Sequence, residues 1–476
     1  MKWLLVGALA AGALLRLSGL AERPMHADEA ILADRFGTLL ETGAFHYDPA
    51  EYHGPVLAYA TLPSAWLSRA SRYTDLNETV IRAVPAVFGL ILIAISFWIG
   101  NSLGSTAGLL AALFTAFSPA LVYYSRYYIP ETLLVCFSAA LLLCGVQFAR
   151  RHSMAWAAAA GACAGLMYAT KETAVLGFCA LAAGLLMVRP RVPARYWVAG
   201  AAAAVAVSVA LYSPSGVWDS LRALGVYAER GIEAPRHAHP WHHYFGLLLR
   251  SGEAALLLPA FAIPFLPVFE NKLVRFLFGY SAALTLLYSA LPYKTPWCLA
   301  GFLHGWTLLA AIATAQLIER WGRRGTLAAA VLALGLLAQS WRYSGRASSD
   351  PANPYVYAHT LPDVYRIRDR VQEIALRHAS GTALRVDIFS TDNWWPLPWY
   401  LRDYPNVRWW NGDTAKVVLG PVVLLSPAEE DAVATALYEN RPPGERELYG
   451  NLFEGAVWLR PGVEVRGYAA LSILPP

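Results

Sequence analysis

The chain has 476 residues, of which 57% are hydrophobic and only 15% are charged, whereas soluble domains are about 25% charged. This composition excludes a cytosolic enzyme and a disordered chain, and it indicates an integral membrane protein. The formal net charge of +5 is spread over short loops rather than along one basic stripe, so nucleic acid is not a predicted partner.

Apolar runs long enough to cross about 30 Å of hydrocarbon define the predicted topology. The first run begins at Trp3 and is interpreted as an uncleaved helix. A shorter run at 54–67 holds two prolines and predicts an interfacial helix. About 11 transmembrane helices are predicted within a membrane domain of residues 1–346, with long outer loops at about 21–79 and 213–250. The predicted crossings are 3–20, 80–100, 106–123, 130–148, 154–170, 174–188, 197–212, 254–269, 273–291, 297–318 and 326–341.

The positions of Lys and Arg predict the orientation, because cytoplasmic loops are enriched in them. With a cytoplasmic N-terminus, the inner loops carry Lys2, Arg150, Arg151, Arg189, Arg191, Arg195, Lys272, Arg275, Arg320, Arg323 and Arg324. The short outer turns carry only Arg126, Lys171 and Lys294. We therefore expect a multi-pass protein of the plasma (inner) membrane, with both long loops and the C-terminal segment outside the cytoplasm.

Residues 347–476 differ in character from the membrane domain. Helix-like stretches at 363–378 and 427–437 alternate with short β-rich runs at 385–390, 416–425 and 456–460. This alternation predicts an extracytoplasmic α/β domain. It contains no glycine-rich phosphate loop, so nucleotide binding is not predicted.

Ionisable residues next to hydrocarbon are candidates for function. Asp28 and Glu29 follow the first helix, and Asp28 is either an N-cap or a catalytic carboxylate. Arg126 and Glu131 lie in an outer turn, where Glu131 is either a simple helix start or part of a site.

Lysines and histidines supply the predicted cations on the same face. Lys171 and Lys294 are each the only basic residue of their outer turns, so each either snorkels to the interface or binds substrate. The second long loop adds Arg236, His237, His239, His242 and His243. The spacing of His237 and His239 is compatible with a divalent metal, but substrate contact is the favoured interpretation and no cofactor is predicted.

These carboxylates and cations fit one kind of chemistry. A lipid-linked phosphate donor would place its tail in the bilayer and its headgroup against the cations. Positive charge stabilises a departing phosphate, and a carboxylate can accept the proton of an acceptor hydroxyl.

The same residues resemble those of the GT-C glycosyltransferases, in the group of protein O-mannosyltransferases and aminoarabinose transferases. The resemblance covers about residues 1–340. Within the group, residues 353–357 and the tryptophans 394, 395 and 399 resemble an archaeal and bacterial branch described as flippase-activity-associated. The matching stretches are Asp28-Glu29, residues 52–57 with His53 where Lys is usual, 126–131, 170–172 with Glu172 where Gly is usual, 237–244 and 294–297.

The resemblance implies a GT-C helical membrane fold and a sugar transfer from a polyprenyl-phosphate donor to an acceptor hydroxyl outside the cytoplasm. It implies Asp28 as the catalytic base, with Glu29 and Glu131 as further catalytic carboxylates. The substrate-binding residues would be His53, Arg126, Lys171, Arg236, His237, His239, His243 and Lys294. The acceptor is a glycan, a lipid or a protein. The alternative is a non-enzymatic protein that binds lipid-linked sugars and assists their flipping or assembly.

Overall fold

The computed structural model describes residues 2–50, 53–233, 237–345, 347–390, 393–411, 419–438, 444 and 446–474, with side chains in all of these except 213–215 and 230–233. The chain forms two compact units. The first comprises Met1–Leu20, Thr38–Ser71 and Asn77–Tyr357. The second comprises Ala21–Gly37, Arg72–Leu76 and Ala358–Pro476. The second unit thus takes in two segments that the sequence analysis assigned to the first long loop.

Helices make up most of the described chain. In chain order they are α1 (Lys2–Leu17), α2 (Ala27–Thr42), α3 (Val56–Ser68), α4 (Glu78–Asn101), α5 (Ser105–Phe117), α6 (Pro119–Tyr124), α7 (Glu131–Arg151), α8 (Met154–Tyr168), α9 (Ala174–Val188), α10 (Ala194–Glu233), α11 (His243–Ser251), α12 (Ala254–Ala262), α13 (Lys272–Ala290), α14 (Leu299–Trp321), α15 (Arg323–Ser344), α16 (Asp363–Arg377), α17 (Leu397–Tyr400) and α18 (Glu430–Tyr438).

Five described helical segments are long and apolar enough to cross a membrane, and a bent pair of helices raises the number to six. The five are Glu78–Asn101, Glu131–Arg151, Ala194–Tyr212, Lys272–Ala290 and Pro296–Trp321, and the pair of His243–Ser251 and Ala254–Phe265 bends by 109°. Three shorter apolar helices, α5, α8 and α9, lie among them. The protein is an integral membrane protein, while the count of eleven crossings stays a prediction.

Two sequence expectations are corrected here. α10 continues to Glu233 and α11 begins at His243, where a loop was expected over 213–250, so among the described residues of that segment only 237–242 lie outside a helix. The predicted crossing 106–123 is two helices, because the Ser118 side chain accepts a hydrogen bond from Leu121 N–H and starts α6 at Pro119. The interfacial helix expected at 54–67 is confirmed as a helix, α3.

Small residues let the membrane helices pack closely. α8 packs along α10, and a Cβ added to Gly161 would lie 1.9 Å from the Gly200 carbonyl oxygen. Such close backbone approach is typical of helix pairs in membranes, where dispersion rather than the hydrophobic effect holds helices together. α14 is buried along most of its length and lies at the centre of this packing.

The second unit contains a six-stranded sheet, which confirms the predicted α/β fold. Its strands are β1 (Val386–Phe389), β2 (Val407–Trp410), β3 (Val422–Leu425), β4 (Tyr449–Asn451), β5 (Val457–Arg460) and β6 (Val463–Ala470). Strand order is β2-β1-β3-β6-β4, with β5 also paired to β6. β1 runs parallel to β2 and β3, and β6 runs antiparallel to its partners. Buried side chains of β1, β3 and α18 form the core on one face.

Candidate active site

The turn between α8 and α9 carries two adjacent charged residues that contact different partners. Lys171 forms an ion pair with Glu131, the first residue of α7. Glu172 accepts hydrogen bonds from the Tyr47 hydroxyl at 3.0 Å and lies 2.7 Å from His53 Nδ1. The turn therefore joins two of the motifs that the sequence analysis treated separately.

The pair of Glu131 and Lys171 is buried, with 5% and 7% of each residue exposed. Burial alone would lower the pKa of Lys171, but the Glu131 carboxylate, together with Cys298 and Tyr288, raises that pKa above its ordinary value. Lys171 is thus a neutralised cation, which disfavours the predicted role as a free phosphate-binding group. The second carboxylate oxygen of Glu131, Oε2, is buried without a hydrogen-bond partner among the described residues.

A pocket opens beside this ion pair. It is about 250 Å³ in volume, including the part open to solvent. The ends of several helices meet there, and the lining includes Glu131, Lys171, Thr173, Tyr288, Trp297 and Cys298. The pocket therefore combines one ion pair with an aromatic wall.

His53 belongs to a neighbouring cluster of polar and aromatic side chains. Tyr227 places its hydroxyl 3.4 Å from His53 Nδ1, and the two rings lie 5.6 Å apart. Burial alone would raise the pKa of Glu172, but His53, a backbone hydrogen bond and Lys171 together lower that pKa below its ordinary value. A quarter of the His53 side chain, 24%, remains exposed, so the imidazole is accessible to a ligand.

Lys294 lies in a second group of contacts. Its backbone N–H donates to the His237 carbonyl at 3.0 Å, and His239 N–H donates to the Pro292 carbonyl at 3.1 Å. These bonds hold the histidine loop and the Lys294 turn together as a short antiparallel bridge. The two turns, which are more than 50 residues apart in the chain, therefore act as one structural element.

The Lys294 ammonium is buried and donates to the carbonyl oxygens of His239 and Leu291. Within the described chain it forms no salt bridge. Burial lowers the pKa of Lys294 because no carboxylate offsets the loss of hydration. An anionic ligand would raise that pKa again and favour the charged form, so Lys294 is better placed than Lys171 to bind a phosphate.

The histidine loop is anchored by a tyrosine that follows α15. His237 Nδ1 is hydrogen-bonded to the Tyr357 hydroxyl. The rings of His239 and His243 stack with centroids 4.0 Å apart, and both Nε2 atoms are buried without a hydrogen-bond partner in the described parts of the chain. Burial, together with Lys294, lowers the pKa of His239. Arg236, the remaining predicted residue of this loop, lies outside the described residues.

Asp28 and Glu29 belong to the second unit and have different surroundings. Glu29 is buried, pairs with Arg23 at 2.9 Å and accepts a hydrogen bond from His26 N–H at 2.9 Å. Asp28 N–H donates to His26 Nδ1 at 3.1 Å. His26 and Glu29 therefore cap α2, and the expectation of Asp28 as an N-cap is wrong. The Asp28 side chain is 49% exposed, and His26 Nδ1 lies 4.0 Å from its Oδ1.

Arg126 is held by the end of α1. Its guanidinium donates to the carbonyl oxygens of Leu15, Arg16, Ser18 and Gly19 at 2.6–3.3 Å. These oxygens are the acceptors that a helix leaves unpaired at its C-terminus. The contacts favour a structural role over the predicted binding of substrate.

Sequence reasoning missed Glu253, which lies at the break between α11 and α12. It is fully buried and accepts hydrogen bonds from the Ser118 hydroxyl, from Ala120 N–H and from the Tyr355 hydroxyl. The available signal was a single carboxylate at the start of an apolar run. Among the residues that the structure describes, no three His, Cys, Asp or Glu side chains are arranged to hold a metal ion.

Comparison with known proteins identifies the fold. Residues 60–218 match the family model described as dolichyl-phosphate-mannose-protein mannosyltransferase. The structure of ArnT from Cupriavidus metallidurans bound to undecaprenyl phosphate matches 100% of this chain and 99% of its own, with a TM-score of 0.70 and 15% identity. The chain has the GT-C fold.

A second GT-C structure agrees with this assignment. The archaeal oligosaccharyltransferase AglB from Archaeoglobus fulgidus, in complex with an inhibitory peptide and a dolichol-phosphate, matches 100% of this chain and 74% of its own. Its TM-score is 0.60 and its identity is 13%. No curated protein sequence matches this chain.

Proposed function

We propose that this GT-C protein is a membrane glycosyltransferase that moves a sugar from a polyprenyl-phosphate donor to an acceptor hydroxyl outside the cytoplasm. The observation that carries the proposal is the match over the whole chain to a structure holding undecaprenyl phosphate. The partial match to a mannosyltransferase family supports the same reaction class.

In the proposed reaction Asp28, Lys294 and His53 have different roles. The acceptor oxygen attacks the anomeric carbon of the donor as its proton passes to the Asp28 carboxylate. The bond between that carbon and the phosphate oxygen breaks, and polyprenyl phosphate leaves with the electron pair. Lys294 stabilises the departing phosphate, and His53 contributes a second donor group. The half-exposed carboxylate of Asp28 and the desolvated ammonium of Lys294 support these roles.

The contacts of four other predicted residues favour roles in holding the structure of the site. Glu29 holds the start of α2 and Arg126 holds the end of α1, so both act through the backbone. His237 and His239 position the Lys294 turn through the paired backbone. A divalent metal is not required by this scheme, and the acceptor remains a glycan, a lipid or a protein.

Asp28→Asn tests the proposal. We expect transfer to fall by about 10²–10⁴-fold, because asparagine cannot accept the proton. Thermal stability should stay within about 0.5 kcal/mol of wild type, because His26 and Glu29 cap the helix and Asp28 is half exposed. The measurement is turnover by purified protein with a panel of polyprenyl-phosphate sugars, together with thermal unfolding of both proteins.

Two results would count against the enzyme. Transfer by Asp28→Asn at the wild-type rate would remove Asp28 as the base. Wild-type protein that binds the lipid-linked sugars but transfers none to any acceptor would favour the non-enzymatic alternative, a protein that assists their flipping or assembly.

A further inference from the structure

The pocket beside Glu131 has an unused hydrogen-bond acceptor. Glu131 Oε1 takes the bond from Lys171, whereas Glu131 Oε2 is buried without a partner in the described chain. A buried carboxylate oxygen that lacks a donor costs free energy, so a site of this kind favours a ligand that supplies an N–H or O–H group.

The charge of the pocket excludes the phosphate as its occupant. Lys171 is already neutralised by Glu131, and the atom left free is a carboxylate oxygen. A phosphate oxygen would face this anionic atom and be repelled. A hydroxyl or an ammonium group would instead be attracted, so the pocket is suited to the sugar and not to the lipid headgroup.

The wall of the pocket is suited to a sugar ring. Tyr288 and Trp297 form its aromatic side, which can pack against the apolar face of a ring. Trp297 also contacts Tyr357, the residue that anchors the histidine loop next to Lys294.

We propose that Glu131 and the pocket around it form the subsite that recognises a hydroxyl or amino substituent of the donor sugar, and that it selects neutral or amino sugars against uronic acids. The inference rests on the proposed function, since it assigns a substrate class to the same donor. It makes Glu131 a specificity-determining residue through Oε2, and it makes Lys171 the residue that holds the carboxylate in place.

The test measures the affinity of purified protein for undecaprenyl phosphate, undecaprenyl-phosphate-mannose and the corresponding mannuronate. Wild type should bind the mannose lipid about tenfold more tightly than the bare lipid, as expected for one hydrogen bond to a charged acceptor. It should bind the mannuronate no more tightly than the bare lipid. Glu131→Gln should lose the preference for the mannose lipid over the bare lipid.

Glu131→Gln leaves Lys171 buried without its counter-ion and can therefore destabilise the protein. A second variant separates this effect from the loss of sugar recognition. The double substitution Glu131→Gln with Lys171→Met removes both charges and should lose the same preference. Gln147→Ala, at the other end of α7 and partly exposed, is the control and should bind all three lipids as wild type does.

Two outcomes overturn the inference. One is a wild type that does not prefer the mannose lipid, as expected of a structural ion pair whose free oxygen binds water. The other is a preference for mannose that persists in both variants. The binding measurement does not depend on turnover, so a protein that binds as expected but transfers no sugar would contradict the proposed function and leave the subsite standing.

Discussion

Arg126 shows how a single side chain can tie two helices together in a membrane protein. Four carbonyl oxygens at the end of α1 receive its N–H groups. The neighbouring Arg16 does the same for α5, donating to the carbonyl oxygens of Thr115 and Ala116 at 3.0 and 2.9 Å. Each guanidinium provides several donors in one plane, a geometry that lysine lacks.

Arg126→Met is therefore expected to destabilise the protein. The variant leaves the four carbonyl oxygens without donors, at a cost on the order of 2–3 kcal/mol. The measurement is the midpoint of thermal unfolding in detergent, followed by the affinity of the folded protein for undecaprenyl phosphate. A variant with wild-type stability and weakened lipid binding would restore the sequence-based prediction that Arg126 binds the donor.

Glu172 makes the stability of the protein depend on pH. Because its pKa in the folded protein lies below the ordinary value of 4.5, the folded state favours the carboxylate. That contribution is complete above pH 4.5 and is lost as the pH falls towards the folded pKa. We expect the unfolding temperature of wild type to drop below about pH 4.5, and to drop less in Glu172→Gln.

Glu270→Gln serves as the control for this titration, because Glu270 is an exposed carboxylate. Its unfolding temperature should follow the pH in the same way as that of wild type. If Glu172→Gln and wild type lose stability in parallel on acidification, the pair of Glu172 and His53 does not contribute to the pH dependence.

At the scale of elements, the start of α3 depends on a close backbone approach at Gly54. A Cβ at this position would lie 2.1 Å from the Ala169 carbonyl oxygen and 2.6 Å from the Tyr212 hydroxyl. The same carbonyl accepts a hydrogen bond from Val56 N–H at 3.2 Å. Glycine therefore allows the His53 segment to contact the turn that carries Lys171 and Glu172.

Gly54→Ala should separate these two elements. We expect a loss of about 1–3 kcal/mol in stability, because the backbone atoms at Ala169 must shift. A weaker affinity for undecaprenyl phosphate should accompany it if His53 contacts the donor. The matched control is Gly145→Ala in α7, where a Cβ meets nothing within 4 Å and alanine favours the helix. Equal stabilities of the two variants would contradict the close approach.

At the scale of the whole molecule, the first compact unit brings together at one end several turns that are predicted to lie outside the cytoplasm. The first residue of α7 contacts the turn between α8 and α9, and the residues that begin α14 line the same pocket. These contacts agree with the alternation of crossings expected from the loop charges. They define one common end, and the positive-inside bias predicts that this end faces away from the cytoplasm.

The orientation can be tested with a reporter fused after Pro476. We expect a reporter that works only outside the cytoplasm to be active, because the predicted number of crossings is odd and the N-terminus is predicted to be cytoplasmic. A control fusion after Arg191, in a predicted inner loop, should be inactive. Activity of a cytoplasm-specific reporter at the C-terminus would reverse the topology.

The sequence alone determined the helical membrane architecture and the α/β character of the C-terminal residues. Both follow from local patterns, because the length of an apolar run decides whether a helix can cross a membrane and alternating runs predict strands. The strands β2, β4 and β6 were nevertheless not predicted. The candidate residues could also be found, since charge at membrane depth stands out against an apolar background.

Only the tertiary structure decided which of these residues act together. Lys171 is paired with Glu131, 40 positions earlier in the chain, and Arg126 caps a helix more than 100 positions away. Such contacts depend on how helices stack, which local composition does not encode. Residue type likewise left Asp28 open as either the N-cap of α2 or a catalytic carboxylate, whereas the backbone geometry gives the cap to His26 and Glu29.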